Sequence, residues 1–202
     1  MQHIMLDLET MDKTPTAAIA AIGAVAFDLT TGTLGKQFYQ RVDIESSQQR
    51  GGTLGASTVK WWLRRSSEAR SEVVADNAVS IEYALNEFAC FITRSTTLQF
   101  VEPGPWWRRS EVRIWAQGTD FDLPIITSAF QRINMPVPWD YWNVSDARTI
   151  TTAAKDYGID LRTAVPFEGE KHHALHDAIH QAKTVMHIWQ LFFGTQNKSE
   201  LP

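Results

Sequence analysis

Cysteine is almost absent from this chain: Cys90 is the single one among 202 residues. A lone cysteine cannot close an intrachain disulfide, and without a CxxC pair there is no cysteine zinc site. Cys90 lies in the apolar run Phe88-Ala89-Cys90-Phe91-Ile92 and reads as a small core residue. A large excess of one charge is also missing. The net charge of -4 gives no global basic footprint, so a nucleic-acid partner would be held by a local patch or by metal ions. Long hydrophobic runs are missing as well; none approaches the roughly 18 residues of a membrane span. The opening MQHIMLDLET carries acids at positions 7 and 9, where a secretory leader would be apolar. These absences predict a soluble, cytoplasmic protein with no membrane partner. There is no repeat, low-complexity tract or interdomain linker. One domain over residues 1–194 with a polar tail at 195–202 is the expected organisation. A composition of 44% hydrophobic and 11% aromatic residues is ample for a core.

The first half reads as strands. His3 to Leu8 is a short apolar run that ends in acids, Ala17 to Phe27 is longer, and Gln37 to Val42 alternates after the turn signal Thr31-Gly32-Thr33. Short connections between them predict an antiparallel meander. Helical spacing follows. Ser57 or Thr58 is positioned to cap a helix through Val59, Trp62 and Leu63. Ser80 precedes the helical face Ile81, Leu85, Phe88 and Ile92. Residues 95–110 read as a loop-like insert, and Glu111 to Ala116 as a strand. Helices are expected over Leu123 to Ile133, from a cap at Asp146 to Gly158, and from Ala174 to Phe193 with Gly194 closing the last. The fold class implied is α/β, a mixed β-sheet flanked by α-helices in a single domain.

Three segments carry chemistry. Asp7 and Glu9 are two residues apart, so on a strand both carboxylates leave one face. Close like charges repel unless a cation lies between them, and hard cations such as Mg²⁺ and Mn²⁺ prefer carboxylate oxygen. A pair of solvent-facing acids at a strand end would look the same. In the second segment, Gly118-Thr119-Asp120-Phe121-Asp122, a strand runs through a glycine turn into a helix. Capping and the helix dipole explain one of Asp120 and Asp122, and Phe121 could fix the direction of an acid beside it. The third segment, Lys171 to His180, holds four of the six histidines. His176 and His180 have the i, i+4 spacing of helical zinc sites, as do His173 and Asp177 for a shared face. His172 and Asp177 are about 140° apart on a helix. They converge only if His172 lies on the loop before it, a loop that Gly169 makes plausible.

Together the segments resemble the DEDDh exonucleases of the ribonuclease-H-like superfamily: D-x-E-T at Asp7-Leu8-Glu9-Thr10, an F-D ending at Phe121-Asp122, and H-x4-D from His172 to Asp177. The stretches IGAVAFD, KWWLRRSSEAR, SDARTI and HHALHDAIHQAK are similar to the prophage-type, exonuclease-VIII-like group. Gln117, Asp120 and the insert from Pro103 to Arg109 depart from the pattern without removing a catalytic group. The resemblance implies a ribonuclease-H-like fold and 3′→5′ hydrolysis of single-stranded nucleic acid or 3′ overhangs, DNA before RNA, to nucleoside 5′-monophosphates. It implies two divalent ions, Mg²⁺ or Mn²⁺, on Asp7, Glu9, Asp122 and Asp177, with His172 as general base. Thr10, Met11, Trp62, Phe121, Arg108 and Arg109 are the expected substrate contacts, and a homodimer is an expected assembly.

Three other readings stand beside this one. A 3′→5′ exoribonuclease on the same fold is the nearest. A non-catalytic nucleic-acid-binding module would use the same surface. The doublet His176-Asp177 suggests an HD-type phosphohydrolase, but that fold is all-helical and needs an Asp further downstream, which is missing.

Overall fold

The computed structural model describes residues 2–95 and 112–194. Its strands are β1 (Gln2–Thr10), β2 (Ile19–Asp28), β3 (Thr33–Arg41), β4 (Val112–Ala116) and β5 (Val144–Asp146). They form one sheet in the order β3-β2-β1-β4-β5. The first three make the antiparallel meander their short connections require, and β4 and β5 add in parallel beyond β1. Parallel addition needs long crossovers, and the helices supply them. Between β3 and β4 lie α1 (Ile44–Gln49), α2 (Ala56–Leu63), α3 (Ser67–Val73) and α4 (Ile81–Ser95); α5 (Asp122–Arg132) joins β4 to β5. After β5 come α6 (Ala147–Asp156), α7 (Leu161–Ala164) and α8 (Ala174–Phe193).

The two-residue alternation of β1 decides which helix meets which face. Ile4, Leu6 and Leu8 point to one side, into a core with Ile81, Leu85, Phe88 and Ile92 of α4 and Ile125, Ile126, Ala129 and Phe130 of α5. Met5 points to the other side, against Ala178, Ala182 and Val185 of α8 and Ala147 of α6. Asp7 and Glu9 are in phase with Met5, so they leave from the face that α8 covers.

Several caps follow the sequence. Ser80 Oγ accepts the Tyr83 N–H at 3.3 Å, and the Asp146 carboxylate accepts the N–H groups of Arg148 and Thr149. The cap read at Ser57 or Thr58 needs correction. α2 begins one residue before Ser57 on Gly55, which makes no side-chain cap bond. A β-carbon on Gly55 would overlap the Asp12 carboxylate, so a capping side chain has no room there. Cys90 is partly exposed on the flank of α4 rather than fully buried. Three short helices, α1, α3 and α7, and the three-residue β5 were not expected from the sequence. The insert carrying Arg108 and Arg109 and the tail at 195–202 lie outside the described residues. Among the described residues no helix is long and apolar enough to cross a membrane.

Candidate active site

Three carboxylates meet where β1 runs under the first turn of α8. Asp7, Glu9 and Asp177 each offer an oxygen, and these atoms all lie within 4.8 Å of one another. Asp177 comes to this face because the backbone of α8 touches the sheet at Gly23. That glycine pairs with Asp7 across β1 and β2, and a β-carbon on it would overlap the Ala174 peptide. Asp122 arrives from the opposite layer, at the start of α5. Its Oδ1 accepts the Leu8 N–H at 3.1 Å, which ties α5 to the β1 backbone between Asp7 and Glu9. Asp122 stands outside the tight group of three but acts electrostatically on both Asp7 and Glu9.

Burial and mutual repulsion dominate the electrostatics here. Asp7 is raised well above the ordinary carboxylate range by burial and then by Asp122, Glu9 and Asp177. Glu9, only 8% exposed, is pushed up to about 8 by burial and then by Asp177, Asp122 and Glu72. Asp122, 4% exposed, rises to about 7 through burial, opposed by the Leu8 N–H. Asp177 is raised by burial, and the His172 N–H works in the opposite direction. Four oxygen donors that cannot all ionise alone fit a hard divalent cation. A further sign is Gln181, which sequence reasoning missed. Its Nε2 donates to Asp7 Oδ1 at 2.7 Å, while its Oε1 is buried without a hydrogen-bond partner among the described residues. The i, i+4 relation of Asp177 and Gln181 was its only available signal.

His172 lies on the loop before α8, as convergence with Asp177 required. Its backbone is left-handed, φ 63°, and its N–H donates to Asp177 Oδ2 at 2.8 Å. Its ring meets Trp61 edge-on at 4.9 Å. The zinc-like pair His176 and His180 does not form a ligand pair. His176 Nδ1 accepts the Glu170 N–H at 3.0 Å, and His180 packs on Phe167. The five-stranded sheet also removes the all-helical HD alternative.

The expected substrate contacts divide. Trp62 is only 4% exposed, and its Nε1 donates to the Thr10 carbonyl at 2.9 Å, so its ring is occupied by the core. The neighbouring Trp61 is 37% exposed, stands beside His172 and carries the Arg65 guanidinium over its ring at 4.5 Å. The open face therefore belongs to Trp61, and Trp62 acts as a brace. Thr10 and Met11 are buried at the strand end, Met11 in the same small cluster as Trp62. Phe121 packs against the larger core. A concave surface lined by Arg64, Arg65, Lys171 and His172 opens beside Trp61. The extra acid, Asp120, is exposed and near Arg148, which also donates to the Gln117 carbonyl. Asp146 has a second task that no sequence signal announced: its Oδ2 accepts both the N–H and the hydroxyl of Thr119, steadying the turn before Asp122.

A mixed five-stranded sheet with these helices is the fold of the DEDDh exonucleases. It superposes on the nuclease domain of 3′hExo, a DEDDh family member bound to rAMP, with a TM-score of 0.61 at 13% identity, covering 96% of this chain and 92% of that one. The zinc-bound complex of E. coli ExoI with single-stranded DNA gives a TM-score of 0.61 at 13% identity over 96% of this chain, which spans 41% of that protein. In sequence, the chain is 26% identical over 170 residues to the exodeoxyribonuclease of Enterobacteria phage T4, covering 74% of this chain and 70% of that enzyme. Residues 2–189 match the family described as the 3′-5′ exoribonuclease Rv2179c-like domain. The chain belongs to that 3′-5′ exonuclease family, and its fold is the one the DEDDh exonucleases share.

Proposed function

We propose that the protein removes nucleotides one at a time from the 3′ end of single-stranded nucleic acid, using Asp7, Glu9, Asp122, His172 and Asp177. The observation that carries this reading is the convergence of Asp7, Glu9 and Asp177 oxygens within 4.8 Å, on residues from opposite ends of the chain. Asp7, Glu9, Asp122 and Asp177 would hold a pair of divalent ions, Mg²⁺ or Mn²⁺. Such ions supply an acidified water and a counter-charge for the leaving 3′ oxygen.

The remaining work falls to the protein. The His172 imidazole takes the proton of the attacking water as a general base. Its placement beside Asp177 is enforced by the 2.8 Å bond from its own N–H. Gln181 holds Asp7 in one orientation through its 2.7 Å bond. Trp61 offers a face for a base, and Arg64, Arg65 and Lys171 neutralise phosphates of the entering strand. Met11, at the end of β1, and Phe121 shape the floor on which the terminal nucleotide rests.

DNA is the first reading of the substrate. Identity of 26% across most of both chains is a likeness to one particular enzyme, an exodeoxyribonuclease. The narrower likeness to prophage-type exonucleases points the same way. RNA is the second reading, favoured by the family's description as an exoribonuclease. The deciding experiment digests 5′-labelled DNA and RNA oligomers of one sequence, single-stranded and with 3′ overhangs, with Mg²⁺ and then with EDTA. A descending ladder and free 5′-monophosphates, abolished by EDTA, are expected. Intact but retarded oligomer would instead make the protein a binding module.

A further inference from the structure

Outside the carboxylate cluster, a polar network surrounds Glu72 on α3. Arg41 grips its carboxylate with two nitrogens, Nη2 at 2.8 Å from Oε1 and Nε at 3.1 Å from Oε2. The Tyr39 hydroxyl donates to Oε2 as well. The side chain is 12% exposed, and His173 Nε2 stands 3.7 Å from Oε2, in contact but too far for a hydrogen bond. Burial opposes ionisation of Glu72, yet the bonds from Arg41 and Tyr39 prevail and hold its carboxyl below the usual range.

His173 follows His172 directly, and its ring is clamped. It stacks on Tyr39 at 4.2 Å on one side and on His176 at 4.0 Å on the other. His176 in turn fixes the start of the loop: it accepts the Glu170 N–H, and a β-carbon on Gly169 would come within 2.8 Å of its ring. The loop is therefore held at Gly169–Glu170 and at His173, with His172 between in a left-handed conformation. A side-chain residue persists in that region only where the surroundings over-determine it.

The geometry points to Glu72 as a positioning residue: with Tyr39 and Arg41 it anchors His173, and through His173 it holds the His172 imidazole over the carboxylate cluster. Glu72 touches neither water nor substrate in this role. The inference rests on the proposed role of His172 and can fail separately from it.

The test is a double-mutant cycle in the full chain with Glu72→Gln, His172→Ala and the pair, measuring kcat and KM on a labelled oligonucleotide at saturating Mg²⁺. Glu72→Gln is expected to lower kcat about 30-fold, within the range for a misplaced catalytic group, with KM unchanged. Added to His172→Ala it should cost almost nothing further, because its effect passes through that imidazole. Tyr39→Phe, which keeps the ring stack and removes only the hydroxyl, should give a smaller loss of the same kind and serves if Glu72→Gln does not fold. Additive losses, or an unchanged kcat in both variants, would overturn the inference. A wild-type rate in His172→Ala alone would instead remove the proposed function of that histidine.

Discussion

Gly23 and Ala174 are in backbone contact: the α-carbon of one, in the middle of β2, lies against the peptide of the other, at the first turn of α8. No side chain fits between them. Because Gly23 also pairs with Asp7, this contact sets how near Asp177 can come to the acids of β1. Gly23→Ala should push the start of α8 off the sheet. We expect a loss of about 3 kcal/mol of stability, the upper range for overpacking, together with a fall in kcat larger than for a core substitution remote from the site. Thermal melting and turnover measured on one preparation check this; wild-type turnover with an intact fold would refute the coupling.

Removing a carboxylate should separate activity from stability. Asp7→Asn keeps the shape and the oxygen that accepts from Gln181 but relieves repulsion by Glu9, Asp122 and Asp177. Turnover should drop about a thousandfold, the equivalent of about 4 kcal/mol. At pH 9, where the carboxylates are ionised, the metal-free protein should melt higher by about 3 °C, as about 1 kcal/mol gives for a chain of this size. A variant less stable than the parent in EDTA would contradict the repulsion argument.

The pH dependence has a definite sign. Glu9 titrates near 8 in the folded state, above its ordinary value of 4.5. The folded protein therefore binds more protons than the unfolded chain across that window, and stability falls as pH rises through it. In EDTA the melting temperature should fall by about 5 °C between pH 5 and pH 8. Mg²⁺ should stabilise most at the alkaline end, where the carboxylates are free to bind it. Calorimetry at several pH values, with and without Mg²⁺, tests both slopes, and a metal-free protein that gains stability toward pH 8 would exclude the raised value.

Strand entry beside Trp61 should depend on salt. Arg64→Ala with Lys171→Ala removes two cations from the concave surface near His172. The logarithmic dependence of single-strand affinity on salt should lessen by about 1.4, which is about 0.7 for each lost phosphate contact. Fluorescence anisotropy in EDTA, where no cleavage occurs, reads this directly. An unchanged slope would move the strand's path elsewhere, with Arg108 and Arg109 the next candidates.

What the sequence made legible followed from periodicity. The run from Ala174 to Phe193 repeats apolar residues at helical spacing and is a helix with those bounds. Asp7 and Glu9 share a face because a strand alternates. Asp146 caps α6 because acids accept N–H bonds at helix starts. The misses had little apolar pattern to reveal them. In α1 the only buried residue is Ser47, and α3 buries only Ala69 and Val73. β5 is three residues long. Of two adjacent tryptophans, spacing alone could not tell that Trp62 braces Thr10 while Trp61 faces outward. Glu72 was invisible for another reason: its partner Arg41 is distant in sequence and near only after folding, and for Gln181, whose partner Asp7 is likewise distant, only the spacing from Asp177 gave a signal.

The contact at Gly23 has an implication for folding. Asp7 lies on β1 and Asp177 on α8, so a chain whose α8 has not docked lacks the carboxylate cluster however well its sheet has formed. Seating one glycine against one peptide therefore completes the site.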